Sequence, residues 1–283
     1  MHKQQIIIYP ADSADGLGAA WAAWEFYGQG AYYIPYRYND PMPDFEYGAE
    51  VFVLGCGIGL NAISLAAANA TRIVLIENQI PYESKFHEHI RTQNLPANVI
   101  FIFDQNHSGC VLAWNYFNQG QPVPLMLEMI QDQYLSLFAV DMSREVVAAL
   151  YNRMPIELFN FGGVSVGELR GEGKALTEQI KRISARMLKT RHPIMLDGVT
   201  GMAVNASPAF ATDLGLMLST EKGTFGMTYH YNGDRKLWGC SLRSNGEVDV
   251  GRIAEKFGRG GHDRAAGFSV TKEKISDLLK GIL

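Results

Sequence analysis

The segment F-G-R-G-G-H-D-R-A-A-G-F, from Phe257 to Phe268, holds the residue types most suited to an anion. Gly258, Gly260 and Gly261 carry no side chain over their backbone N–H groups, so a phosphate can approach the chain closely. His262 adds a donor able to carry charge, and Arg259 and Arg264 add fixed positive charge. Ala265, Ala266 and Gly267 read as a tight turn just behind the loop. A second chemistry lies near the start of the chain. Asp12 and Asp15 follow the apolar run Ile6–Tyr9, where a strand should hand over to a helix. Carboxylates there can hold a divalent cation over the carboxyl end of a sheet, or they can cap the helix.

The elements needed to position these groups are legible as alternating patterns. Ile6–Tyr9, Val51–Leu54, Ile73–Ile76 and Val99–Phe103 are short apolar runs and read as buried parallel strands. Helical stretches alternate with them at Gly18–Tyr27, Asn61–Ala70, Ser84–Gln93 and Cys110–Phe117. This is the pattern of a doubly wound α/β domain. Residues 123–160 read as helical. The stretch from Gly167 to Lys189 starts glycine-rich and continues as an amphipathic connecting helix with Leu176, Ile180, Ile183 and Met187 on one face. Beyond residue 190 the pattern changes to strands at Ile194–Leu196, Gly226–Tyr231 and Leu237–Ser241, with a hairpin signal at Asn232-Gly233. The expected division is 1–165, a connecting helix 166–190, and 191–283.

The chain has 283 residues, 47% hydrophobic and 19% charged, enough for two cores. No run approaches the roughly 20 apolar residues of a membrane span, and the first residues read as a strand rather than a signal peptide. Three cysteines, Cys56, Cys110 and Cys240, lack metal-like spacing and fit a reducing cytoplasm. Net charge is −4 but unevenly spread: the first 165 residues hold 7 Lys and Arg against 16 Asp and Glu, a net −9, and the rest is mildly basic. That distribution suits a small anionic ligand on the second half better than a long nucleic acid. His87 and His89, at i and i+2 on a helix, point apart, and His107 reads as a structural hydrogen-bonding residue. Trp21, Trp24 and Trp114 read as core, and Cys56 as a packed thiol.

The C-terminal run resembles the G-G-G-H-x-x-A-A-G signature of the DHH-associated domain of the DHH phosphoesterase superfamily. The preceding Ser241-Leu242-Arg243-Ser244 and Val248-Asp249-Val250 resemble its approach. The resemblance extends forward. Tyr9-Pro10-Ala11-Asp12-Ser13-Ala14-Asp15-Gly16 resembles motif I, with Pro10 at the family histidine. Val51–Leu54 followed by Gly55 resembles motif II without its aspartate, and Glu77-Asn78-Gln79 stands at the Asp-His-His motif. Asp104 to Cys110 resembles the Asp-x-x-x-Ser-Gly-Ala segment. Asp132 matches the motif IV ligand, with Tyr134 where a second aspartate is often found.

The resemblance is to the oligoribonuclease and exopolyphosphatase-related branch. It implies an N-terminal doubly wound parallel-sheet DHH-like domain and a smaller C-terminal α/β DHH-associated domain. It implies Asp12, Asp15, Glu77 and Asp132 as metal-site residues for one Mn²⁺ or Mg²⁺ at most. It implies Arg243, Gly260, Gly261 and His262 as substrate-binding residues. Two adjacent cations need more anionic or imidazole ligands than remain here. The leading expectation is therefore a pseudoenzyme-like member that binds a nucleotide or short oligonucleotide phosphate in an interdomain cleft, with weak or no hydrolysis. The alternatives are an active phosphodiesterase with a rebuilt site, and an interaction or assembly protein with a vestigial cleft. A homodimer is admitted.

Overall fold

The computed structural model describes residues 4–280, apart from 39, 93–94, 221–222 and 259. Its contacts divide the chain into two compact units, Met1–Lys174 and Ala175–Leu283.

The first unit opens with β1 (Gln5–Pro10), α1 (Ala14–Tyr27), β2 (Ala31–Tyr36), β3 (Ala49–Leu54) and α2 (Leu60–Ala67). It continues with β4 (Ala70–Glu77), α3 (Ile80–Thr92), β5 (Val99–Phe103) and α4 (Gly109–Phe117). The five strands are parallel and ordered β2-β1-β3-β4-β5. This is the doubly wound sheet that the apolar runs predict, because both faces are covered. Ile6, Ile8, Val51, Val53, Ile73 and Leu75 pack with Leu60 and Ile63 of α2 and with Tyr82 and Phe86 of α3. On the other face Phe52 meets Phe117 of α4. Chain direction across the sheet reverses between β1 and β3, and in such sheets ligands sit beyond the carboxyl ends of the strands at that point.

The sequence pattern misses β2. Its run A-Y-Y-I-P-Y contains Pro35, which argues against a central strand, but β2 lies at the sheet edge and pairs only with β1, where proline is tolerated. The stretch 123–160 is not one helical block but α5 (Leu125–Tyr134), α6 (Ser143–Arg153) and the short α7 (Leu158–Phe161). Next, α8 (Val166–Met187) is helical from its glycine-rich start. Gly173 serves packing there: a Cβ would lie 1.8 Å from the Glu145 carbonyl oxygen, so glycine lets α8 cross α6 closely.

The remaining elements are β6 (His192–Leu196), β7 (Val199–Asn205), α9 (Ala211–Leu218), β8 (Phe225–Asn232) and β9 (Leu237–Arg243). They are followed by α10 (Val250–Glu255), β10 (Ala265–Val270) and α11 (Lys272–Leu278). The sheet order is β10-β9-β8-β7-β6, with β7 and β8 parallel and the other pairs antiparallel. The hairpin expected at Asn232-Gly233 joins β8 to β9. It closes over four residues, with Lys236 rather than Gly233 at positive φ and the Asn232 side chain accepting from the Arg235 N–H. Ala265, Ala266 and Gly267 do not turn; they are the first residues of β10, paired to Arg243, Leu242 and Ser241.

Candidate functional site

Asp15 is the second residue of α1. The helix is capped not by Asp12 or Asp15 but by Ser13, whose hydroxyl accepts from the Gly16 N–H at 3.3 Å. Gly16 is required beside it, because a Cβ would lie 2.1 Å from the Pro10 carbonyl oxygen. Asp15 is buried and caps a different helix. Its Oδ2 accepts from the Gly109 N–H at 3.1 Å and its Oδ1 from the Cys110 N–H at 2.8 Å, at the start of α4. Burial raises its pKa, and those hydrogen bonds only partly offset the effect.

Glu77 ends β4 with 1% of its surface exposed. Its Oε1 accepts from the Gly57 N–H at 2.8 Å, and its Oε2 is buried with no hydrogen-bond partner among the described residues. Burial pushes its pKa up to about 8, opposed by the Gly57 and Cys56 N–H groups and reinforced by the charge of Asp15. Near neutral pH the carboxyl therefore holds its proton. The residues standing at the family histidines are used for hydrogen bonding. Asn78 donates to the His107 carbonyl at 2.9 Å, and the Tyr134 hydroxyl donates to Asn78 Oδ1 at 3.4 Å. His107 is held by Asp104 at 2.7 Å.

Asp132 is buried elsewhere, tying α5 to α6. Its Oδ1 accepts from the Ala139 N–H at 2.7 Å and its Oδ2 from the Ser143 hydroxyl. Asp12 is exposed and pairs with Arg37 at 3.0 Å. Asp15 is thus near enough to Glu77 to favour its protonation, while Asp12 and Asp132 are each committed to other partners. Among the described residues no group of three or more His, Cys, Asp or Glu side chains is arranged to hold a metal ion. The donor set does not fit the divalent cation that the family resemblance implies. Two carboxylates are engaged on both oxygens by N–H and O–H donors, one keeps its proton, and the fourth is paired with a guanidinium. Cys56 is a packed thiol, as expected, donating to the Ile8 and Leu54 carbonyls, with burial pushing its pKa well up. Trp21 and Trp114 stack in the core.

In the second unit, Arg243 ends β9. Its neighbour Leu242 faces the core formed with α10, so the Arg243 side chain lies on the α9 face. There it covers Gly215, where a Cβ would meet the arginine Cγ at 2.6 Å. Its Nη1 donates to the Leu242 carbonyl at 2.8 Å and its Nη2 to the Thr212 hydroxyl at 3.0 Å. Its Nε is buried without a partner among the described residues. Burial, the only influence on it, brings the guanidinium down to about 10, so it stays charged at neutral pH.

The glycine loop enters the sheet at the same level, since Ala265 pairs with Arg243. Gly258 has φ +76, a conformation suited to glycine. The loop closes through His262 N–H to the Ala265 carbonyl at 2.9 Å and Ala265 N–H to the His262 carbonyl at 3.2 Å. The His262 backbone amide is therefore used within the loop and is not open to an anion. A Cβ on Gly261 would lie 2.6 Å from the Ala265 carbonyl oxygen, which accounts for that glycine by packing. Arg259 lies outside the described residues.

The chain is thus a parallel doubly wound unit followed by a smaller mixed-sheet α/β unit with a glycine loop in register with an arginine. Residues 200–283, most of the second unit, match the DHHA1 domain. An uncharacterized protein of Acanthamoeba polyphaga mimivirus is 25% identical over 300 residues, covering 96% of this chain and 70% of its own length. Among solved structures, the pGpG-specific phosphodiesterase PggH of Vibrio cholerae is similar with a TM-score of 0.48 and 10% identity, over 99% of this chain and 97% of that one. The exonuclease RecJ bound to manganese is similar with a TM-score of 0.44 and 14% identity, over 97% and 88%. No helix among the described residues is long and apolar enough to cross a membrane.

Proposed function

We propose that this chain holds the phosphate of a nucleotide-like ligand, a mononucleotide or the end of a short oligonucleotide, on its DHHA1 unit, and hydrolyses it weakly or not at all. Arg243 carries the reading. A buried guanidinium that gains no carboxylate is costly to the fold, and an anion that accepts from its free N–H offsets that cost. Phosphate matches the donor fork of arginine. The Gly260–His262 loop, in register with Arg243, belongs to the same reading. The reduced hydrolysis is supported by the separate commitments of Asp12, Asp15, Glu77 and Asp132.

Calorimetric titration of AMP and of pyrophosphate, repeated on Arg243→Gln, tests the binding. The variant should bind about tenfold more weakly or worse, a loss of about 1.4 kcal/mol. Equal binding by both proteins refutes the role of Arg243. A short oligoribonucleotide incubated with Mn²⁺ should give no turnover above blank, and turnover that disappears in Asp15→Ala refutes the hydrolytic half.

A further inference from the structure

The first unit contains a cavity of about 510 Å³ lined by the loop after β1 and the segment closing α6. Tyr9 and Tyr151 bring aromatic rings to its lining, and Pro35 and Pro155 add apolar surface, a combination that suits a planar ligand. Tyr151 is fixed there, since its hydroxyl accepts from the Ala14 N–H at 3.3 Å. Asp12 and Arg37 also line it.

The Asp12–Arg37 pair is unusual in two respects. Asp12 has φ +56, a left-handed conformation that aspartate adopts more readily than most residues with a Cβ. Both side chains are mostly exposed, 73% and 67%, and an ion pair so open adds little to stability. Only Asp12 Oδ2 and Arg37 Nε meet each other, leaving an acceptor oxygen beside the terminal guanidinium donors.

We infer that this cavity binds a nucleobase, a planar heterocycle whose edge carries N–H donors beside an acceptor. The Asp12 carboxylate accepts from the ring donors and the Arg37 guanidinium donates to the ring acceptor. Guanine gives the fullest match, with O6 next to the N1–H and N2–H donors. The site recognises a base without its phosphate, so it stands apart from the phosphate reading of the DHHA1 unit.

The test is a titration of guanosine, which carries no phosphate, into the full chain, followed by saturation-transfer NMR. Purine riboside, with the same ring system and no exocyclic groups, is the comparison. Guanosine should bind saturably and about tenfold more tightly than purine riboside. Asp12→Asn should abolish that preference; asparagine tolerates the left-handed conformation, so the loop is kept. Arg37→Gln, at an exposed position, should do the same, whereas Arg243→Gln should leave guanosine binding unchanged. The inference is overturned if guanosine does not saturate a chain that unfolds cooperatively. It is equally overturned if both nucleosides bind alike, or if both first-unit variants bind like the parent.

Discussion

Replacing Glu77 by glutamine should make the protein more stable, and increasingly so as pH rises. The folded chain keeps the Glu77 proton up to about pH 8, whereas an ordinary glutamate releases it near 4.5. Between these values the folded state binds more protons than the unfolded one, so native stability falls with rising pH. The loss is complete above the folded pKa and absent below the unfolded one. Each pH unit is worth about 1.4 kcal/mol, so the span from 4.5 to about 8 sets a ceiling of about 5 kcal/mol. Groups facing Glu77 share the effect: Asp15 from α1, Cys56 after β3, Tyr82 from α3 and Tyr134 from α5. Glutamine keeps an oxygen for the Gly57 N–H and does not titrate. Urea unfolding of both proteins from about pH 5 to about pH 9 measures the difference. Trp21, Trp24 and Trp114 report on the first unit and Trp238 on the second. The variant's advantage should open across the window and level off above it. Parallel pH profiles would refute the buried neutral carboxyl. A parent that gains on the variant as pH rises would mean that Glu77 is ionised and favourably paired, as a metal-holding carboxylate is.

Gly16→Ala should cost about 3 kcal/mol or more in urea melts, because its Cβ would lie 2.1 Å from the Pro10 carbonyl oxygen; an unchanged midpoint contradicts that contact. Asp132→Ala should cost about 2–3 kcal/mol by stranding the Ala139 N–H and the Ser143 hydroxyl, and the parent and variant should take up Mn²⁺ alike in calorimetry. Cys56 should react with iodoacetamide only on unfolding, since burial keeps the thiol protonated and covered; fast labelling of the native chain, located by peptide mass, runs against this.

The strands β1, β3, β4 and β5 are legible because each is a continuous apolar run covered on both faces, a requirement strong enough to dominate composition. β2 is not legible, because tyrosines and Pro35 are acceptable only at an edge, and edge position is a property of the finished sheet. The breaks among α5, α6 and α7 are equally hidden, since helical periodicity continues through residues that the chain uses to turn. The glycine loop stands out by its residue types, and Arg243 only by the resemblance of its segment. The destination of each carboxylate could not. Asp15 caps α4, some ninety residues further along, and Asp132 closes a turn on Ala139; both depend on partners that local spacing does not identify. The Asp12–Arg37 pair joins two loops from neighbouring strand ends, and its only local sign is an aspartate able to adopt a left-handed backbone.

Pro35 also fixes how the first unit can meet its surroundings. A further strand laid along β2 would find no N–H at that residue and a ring in its place. Growth of the parallel sheet through that border, whether by a second copy or by a stray extended peptide, is therefore interrupted near its carboxyl end. The chain can keep Tyr32 exposed on this edge while offering a shorter template for fibrils.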